Sequence, residues 1–552
     1  MAHNDQNSEV IFDIIGLGFG PANLAIAGAI LEKRDALAST QDGVTKGLAN
    51  VLFIEKNPEF RWHPGMLLPN TRMQISFLKD LATLRSPKSP LTFLAYLHSQ
   101  DRLLPFINRG SFTPTRKEFA DYLTWSAGYI ENHGIDVQYN EEIVRLADGE
   151  DGTVVVVTRD ATDGTEYKRK TRSLVISPGG SAKLPPAFSA IVPHPRIIHS
   201  STYAPSIGGI ISSINASSSP ERALRIGVVG SGQSAAEVLL DLHSRLSIGG
   251  GQDARKYEVE LIFRAGSFKP SDDTPFSNEI FDPSTADFMF NLPPSARHDV
   301  LKEYHHTNYS VVNPRTIDTL YEVFYDQKLD DAIAKRSRKE DNSRVRLTLT
   351  PHTRIVSVED TSVEPGTEDA ASGNSGPIHL VLQNTLTHEL SESTYDAIIC
   401  GTGYDRSSWA RLLESSEIGK HFGLSGSAAT LDLTPSKVGP EAEASNPTTG
   451  LQAEVGPADQ APYNATSGTS TPLTSPGHSP LSSSQLLTPS RSTKLHISRN
   501  YRLLPVTSSD GSPQFSPKIY LQGCTEVTHG LSESLLSILG VRAGLVVDDI
   551  LE

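Results

Sequence analysis

Apolar positions near the start of the chain follow two periods joined by glycine. Val10 to Ile15 (VIFDII) is an almost unbroken apolar run, the pattern of a buried strand. Gly16-Leu17-Gly18-Phe19-Gly20-Pro21 comes next, and ANLAIAGAILEK then spaces its apolar residues as a helix does. A strand that turns through glycines into a helix is the pattern of a dinucleotide-binding turn. Gly16 is expected to permit the tight turn and Gly18 to let the backbone approach a pyrophosphate. Gly20 follows, and Pro21 stands at the usual third glycine, where the missing N–H is one that a first helical turn can spare. The next strand, Asn50 to Ile54, ends in Glu55, the acid expected to hold ribose hydroxyls. Asp35 to Asn50 reads as an inserted polar loop.

The same grammar recurs further on. ALRIGVVG is a strand, followed by Gly230-Ser231-Gly232-Gln233-Ser234-Ala235-Ala236 and a helical pattern to Leu246. The strand after it, Tyr257 to Phe263, ends in Arg264, with Lys269 close behind. An acid there would repel a 2′-phosphate, whereas an arginine can clamp it or serve as an ordinary surface charge. The first unit therefore reads as built for FAD and the second for NADPH.

Between and beyond these units the pattern predicts a helix over Thr115 to His133 and strands over Val137 to Leu146, Thr153 to Arg159 and Ser173 to Ser177. Ser206 to Pro220 reads as a Ser/Gly-rich linker or surface loop. Helical patterns over Ser295 to Tyr304 and Pro314 to Lys328 lie inside the second unit, where they can roof a site. Asn278, Asn308, Tyr309 and Ser310 are its polar candidates, though Asn and Ser also serve as caps and turn formers. The segment after Glu55, KNPEFRWHPGMLLPNTRMQISFLKDLATL, is dense in Trp, His, Met, Gln and Lys. Its Trp62, Phe77 and Lys79 read equally as core residues and a solvated charge, or as groups presented to a ligand. Strands resume over Arg344 to Thr350, Ile378 to Gln383 and Tyr395 to Cys400, the last entering GTGY. Ordered structure is expected to return at Tyr501 and to end in a strand, a turn and a helix that starts near His529.

Composition narrows the function classes. The chain has 552 residues, enough for two to four domains, and its net charge of −15 argues against nucleic acid or an anionic membrane as partner. No apolar run reaches the ~18 residues of a membrane span, and MAHNDQNSEV resembles neither a signal nor a transit peptide, so a cytoplasmic protein is expected. Cys400 and Cys524 form no pair that would work as a redox dithiol, and His305-His306 lack a third ligand, so no metal is expected. The expected fold class is α/β: two Rossmann-like dinucleotide-binding domains with an inserted small helical substrate domain. Residues 1–205, 391–424 and 494–552 are assigned to an FAD domain and 206–390 to an NADPH domain containing a helical insertion at 273–330. Residues 425–493 form a Ser/Thr/Pro-rich insert that is expected to be disordered, so its NAT sequon at Asn464 carries little.

Both glycine patterns, together with MQISFLKDLATL, DDTPFSNEIFDP, TNYSVV, GTGY and THGLSESLLS, make the chain resemble the microbial amine N-hydroxylating flavin monooxygenases. Among them it is most similar to the fungal ornithine N-monooxygenases of hydroxamate siderophore synthesis. The resemblance spans nearly everything except the termini, the loop near Gly249 and the insert. It implies that Glu55 to His63, Trp62 among them, contact FAD with Gln74, that Ile143 touches it through its main chain, and that His529, Gly530 and Leu531 close over the flavin. It implies NADPH contacts from Ser231, Gly232, Gln233, Ser234 and Arg264, joined by Asn308, Tyr309 and Ser310 near the nicotinamide. Lys79, Asn278 and Ser532 match ornithine-binding positions, with Glu279, Ile280, Phe281 and Asn308 beside them. Gln74, Lys79 and Asn308 are the implied catalytic residues. The implied reaction passes oxygen from a flavin hydroperoxide, formed with O2, to the side-chain amine of ornithine, and the implied assembly is a homotetramer. A lysine N-hydroxylase stays open, since one methylene is worth only about 1–3 kcal/mol in a pocket. So do a Baeyer–Villiger or sulfur-oxidising monooxygenase and a non-catalytic redox sensor that binds both nucleotides.

Overall fold

Strand β1 (Ile11–Leu17) runs into helix α1 (Pro21–Ala38), whose residues Asn23 to Ile30 are all buried. A helix buried on every side must be covered on every side, and here the sheet and the C-terminal helix Leu539–Leu551 both pack against it. The computed structural model describes residues 10–39, 47–219, 221–248, 255–338, 344–361, 376–424, 430–437, 492–507 and 515–552. Two larger sheets organise them, the first mixed around a parallel core and the second parallel throughout.

The first sheet contains β1, β2 (Val51–Ile54), Asp136–Gln138, the end of Glu166–Ile176 and Lys518–Leu521. All four pairings among these strands are parallel, and Leu17 aligns with both Ile54 and Ile176, which in turn aligns with Leu521. Four strands therefore end at one edge, where an α/β sheet places its ligand crevice. An antiparallel meander, Glu141–Asp148 and Val154–Asp160, leads into Glu166–Ile176.

The second sheet has the order Val345–Thr350, Tyr257–Ile262, Leu224–Val229, Ala397–Cys400, Ile197–His199, again with every pairing parallel. This corrects the sequence boundaries. Ile197–His199 lies before residue 206 and Ala397–Cys400 after residue 390, yet both complete the second sheet rather than the first. Ser206 to Pro220 is corrected as well, because Tyr203–Ala216 is a helix that buries Ile207, Ile210 and Ile214 in the second core. Its serines and glycines hid an apolar spacing of three and four residues.

The helical insertion comprises Pro275–Glu279, Thr285–Asn291, Pro294–Asn308 and Pro314–Ser337. Its stem is pinned where Ser271 N donates to Val312 O at 2.9 Å and Val312 N donates to Lys269 O at 2.8 Å. The insert at 425–493 is not structureless throughout. Thr430–Pro435 pairs in parallel with Ser492–Ile497, so order also returns before Tyr501. Residues 425–429 and 438–491, Asn464 among them, lie outside the described residues. No described helix is long and apolar enough to cross a membrane.

Candidate active site

The first glycine turn sits two residues later than the sequence register suggested. Gly16 lies inside β1, and a Cβ there would overlap the Phe53 ring. The left-handed residue is Gly18, at φ +81°, where a Cβ would stand 2.7 Å from the Ser177 carbonyl oxygen. Gly20 caps α1 with Pro21 in its first turn, and a Cβ on Gly20 would meet nothing within 4 Å. The third position of the pattern is thus Asn23 rather than Pro21. Its buried amide donates to Leu17 O at 3.1 Å and Gly18 O at 2.6 Å and accepts from Ser177 Oγ at 2.8 Å, which clamps the turn. A lone amide within an apolar helical run was the sequence signal for it. Glu55 braces the same turn, Oε2 accepting from Phe19 N at 2.9 Å and Oε1 from Asn57 N at 3.0 Å.

This edge suits a polar cofactor. The α1 N-terminus carries no acid in its own first turn, and a Cβ on Gly20 would enter open space, so its partial positive charge can be approached by an anion. Gln522 Oε1 and Thr525 Oγ1, just past the strand that ends beside Ile176, are buried without a hydrogen-bond partner among the described residues. Buried polar atoms are rarely left unpaired, and a bound dinucleotide would satisfy them.

Two candidate histidines stand here, His63 exposed and His529 buried. His63 adopts φ +45° with its ring 5.2 Å from Trp62 and 6.0 Å from Tyr404. The residue itself is open to solvent, and the protein crowded around it, with the positive charges of Arg116 and Arg406, lowers its imidazole below the ordinary histidine range. His529 stacks on Tyr501 at 4.2 Å, and its ring nitrogens meet Thr528 Oγ1 at 2.8 Å and Arg499 O at 3.2 Å. Burial and Arg499 push it down to about 3. Gly530 follows at φ +95°, where a Cβ would stand 2.9 Å from Met289 of the helical insertion, and Leu531 is buried beside it. Ile143 is half-buried at a β-bulge in its strand.

The second turn keeps the grammar of the first. Gly230 has φ +129°, and its Cβ would overlap the Gly401 carbonyl of GTGY. Ser231 follows, Gly232 caps the helix Gln233–Ser247, and Gln233 and Ser234 open that helix. Ser310 Cα lies 3.8 Å from the position of a Cβ on Gly232, so the insertion returns against this turn. Tyr309 Oη donates to Glu526 Oε2 at 2.6 Å, and burial with that carboxylate pushes the phenol up to about 12. Asn308 is half-buried at the end of its helix. Arg264 is exposed at the end of its strand, with no ion-pair partner among the described residues.

A cavity of about 980 Å³ opens beside the second turn and collects Gln74, Lys79, Gln233 and Asn278 of the predicted residues. Asn308, Ser532 and Arg264 lie outside its lining. Lys79 Nζ stands 5.9 Å from the Phe281 ring centre, and burial lowers the lysine's affinity for its proton against the opposing pull of Asp282. Ser532 Oγ donates to Ile280 O at 3.0 Å, which ties the C-terminal loop to the segment that carries Asn278. Glu279 instead lines a separate surface pocket with Phe276. Asp80, not singled out in the sequence, holds the Lys79 loop by accepting from Ala82 N at 2.9 Å, Thr83 N at 2.6 Å and Phe93 N at 2.7 Å.

Two dinucleotide-binding Rossmann units with a polar cavity beside the second turn define a two-nucleotide α/β protein. The chain belongs to the L-lysine 6-monooxygenase/L-ornithine 5-monooxygenase family, whose model matches residues 10–406. It is 56% identical over 557 residues to the L-ornithine N(5)-monooxygenase of Ceriporiopsis subvermispora (strain B), covering 99% of each chain. It is 44% identical to the enzyme of the same name from Omphalotus olearius, over 100% of this chain and 99% of that one. Among solved structures, ornithine hydroxylase (PvdA) from Pseudomonas aeruginosa is 30% identical with a TM-score of 0.69, covering 98% of this chain and 99% of its own. A Kutzneria sp. 744 ornithine N-hydroxylase with reduced FAD, NADP+ and L-ornithine is 27% identical with a TM-score of 0.68 at the same coverage.

Proposed function

We propose that this protein is an FAD- and NADPH-dependent monooxygenase that uses O2 to hydroxylate the side-chain amine of L-ornithine, the first step of hydroxamate siderophore synthesis. The observation that carries this reading is the cavity that brings Lys79, Asn278 and Gln74 beside the second nucleotide turn, in a chain 56% identical over its length to an ornithine N(5)-monooxygenase. FAD would be held by Gly18, Gly20, the α1 N-terminus and Glu55, with Trp62, His63, Gln74, Ile143 and His529 to Leu531 around it. NADPH would be held by Ser231 to Ser234 and Arg264, with Asn308 to Ser310 at its nicotinamide end.

Bound FAD, once reduced by NADPH, would activate O2, so that one oxygen atom ends on the amine and the other in water. The side chains bind, orient and exclude water. Lys79 takes the substrate carboxylate, which aims the far amine inward, and Asn278, whose Nδ2 donates to Asp273 O and Thr274 O, lines the wall beside it. That amine must be neutral to react, and a desolvated position favours the neutral form. Burial favours the neutral form of the His529 imidazole.

The test is hydroxylated product formed per NADPH consumed, with ornithine and lysine compared. Near-stoichiometric hydroxyornithine with little product from lysine is expected; product from lysine alone, or from neither amine, overturns the assignment. Lys79→Ala should raise the KM for ornithine at least about tenfold, the scale of a charge-assisted contact, with FAD content unchanged. Burial lowers the Lys79 pKa, so its grip on the carboxylate is lost as pH rises through a value below the ordinary lysine range. Lys79→Arg stays charged and should remove that alkaline fall in kcat/KM. A fall that persists in the arginine variant would assign it to another group.

We further place the protein in the cytoplasm, supported by its two free cysteines, and infer a homotetramer. Tyr321, Tyr325, Leu329 and Ile333 repeat every fourth position along Pro314–Ser337 and are 64%, 54%, 46% and 42% exposed, an apolar stripe that a second copy would cover. A monomeric mass in solution would refute the assembly.

A further inference from the structure

Hydrogen bonds run around the cavity from Lys79 to Asn278, through the helix that opens the second nucleotide turn. The Lys79 loop is zipped to the segment before Arg116: Met73 N donates to Pro114 O at 2.9 Å, Phe77 N to Phe112 O at 2.9 Å and Arg116 N to Thr71 O at 3.0 Å. The Arg116 guanidinium then crosses to Glu237 with two bonds, Nη1 to Oε2 at 2.6 Å and Nη2 to Oε1 at 3.0 Å. Both side chains are largely withdrawn from water, at 16% and 7% exposure. Glu237 also accepts from Gln233 Nε2 at 2.6 Å, one turn earlier and directly after Gly232.

Gln233 carries the path into the helical insertion. Its Nε2 donates to Thr316 Oγ1 at 3.1 Å and its Oε1 accepts from Asn313 N at 2.7 Å. Asn313 Nδ2 reaches Asp273 Oδ2 at 3.2 Å, and Asn278 Nδ2 donates to Asp273 O at 3.1 Å. Glu237 is the one group in this path that touches both the first unit, through Arg116, and the second turn, through Gln233. A bidentate pair withdrawn from water also resists the screening that weakens exposed ion pairs.

We propose that Glu237 is a positioning residue that couples the two ligand sites, so that NADP+ on the second turn and ornithine between Lys79 and Asn278 each tighten the other. This rests on the functional reading above. A ligand on the turn fixes Gln233 and, through it, the insertion. The second ligand then meets an already ordered wall and loses less conformational entropy on binding. Thermodynamic linkage makes the effect equal in both directions.

The experiment uses full-length, FAD-loaded protein and measures the Kd of NADP+ with and without saturating ornithine, and the reverse. The wild type should show coupling of about fivefold or more. Glu237→Gln keeps an acceptor for Gln233 but removes the charge that holds Arg116, and it should bring that ratio to within about twofold of one. Arg116→Gln attacks the same bond from the other side and should do likewise, so a folding failure in one variant leaves the other decisive. A purely structural role would lower Tm and weaken both ligands in parallel with the ratio preserved, which overturns the inference. Wild-type ligands that bind independently overturn it too. Failure of the wild type to bind NADP+ or ornithine at all would instead sink the site reading beneath it.

Discussion

The two glycine turns share a backbone and differ in what stands around it. Aligned on their helix starts, Gly18 matches Gly230, Gly20 matches Gly232, and Asn23 matches Ala235. In each, the left-handed glycine presses against a carbonyl just past the end of the neighbouring parallel strand, Ser177 in the first turn and Gly401 in the second. The strand-end residues then diverge. Glu55 is wired back into its own turn through Phe19 N, whereas Arg264 is left exposed. The glycines set a path for the chain, and the two units part at the charge that follows their second strand, an acid in one and an arginine in the other.

The harshest way to break the comparison is to load each left-handed glycine with a methyl group. Gly18→Ala would force an alanine to φ +81° and drive its Cβ to 2.7 Å from the Ser177 oxygen. Strain of about 1–3 kcal/mol is expected from the dihedral alone. The protein should be recovered without FAD, or not recovered folded. Gly230→Ala carries the equivalent clash against Gly401 in the other sheet, and should keep its FAD while losing reduction by NADPH. Flavin absorbance and anaerobic flavin reduction read both outcomes. Loss of FAD from both variants would mean that the two sheets do not hold their ligands separately.

A milder cut concerns charge alone. Arg264→Ala leaves the backbone of the second turn untouched and removes an exposed guanidinium. A charge-assisted contact to a 2′-phosphate is worth about 1.5–3 kcal/mol, so kcat/KM for NADPH should fall roughly 10- to 150-fold while that for NADH changes by less than about threefold. Equal losses for both coenzymes would remove the 2′-phosphate from Arg264.

Legibility in the sequence followed the range of the interactions. Most strands and helices and both turns could be read because each writes its period within a dozen residues, the helix Tyr203–Ala216 being masked by its serines and glycines. The register of the first turn could not, since three glycines at alternate positions fit two frames. Only the overlap at Phe53 and the dihedral of Gly18 choose between them. Ile197–His199 and Ala397–Cys400 are short strands whose partner in the second sheet lies far along the chain, so nothing local assigns them. Arg116 and Glu237 are 121 residues apart, and each alone reads as a surface charge. Lys79 and Asn278 stand out in the sequence as polar candidates, and only the resemblance gives them a ligand; no local pattern says that they face one cavity.

The smallest change sharpens the comparison most, because it separates a glycine kept for the fold from one kept for a ligand. Gly20 has φ −80° and ψ −175°, a conformation any residue adopts, and its Cβ would enter open space. Gly20→Ala should therefore lower the stability of the FAD-free protein by no more than about 1 kcal/mol, the cost of alanine at a helix N-cap. If the pyrophosphate lies against the α1 N-terminus, the methyl group intrudes between it and the backbone N–H groups, and the Kd for FAD should rise about tenfold, or 1.4 kcal/mol. Gly232 is the matched control: its Cβ would meet Ser310 Cα at an ordinary 3.8 Å, so Gly232→Ala should weaken NADPH and leave FAD alone. FAD binding unchanged in Gly20→Ala, beside unaltered thermal stability, would move the pyrophosphate off this turn and leave Gly18 as a residue of the fold only.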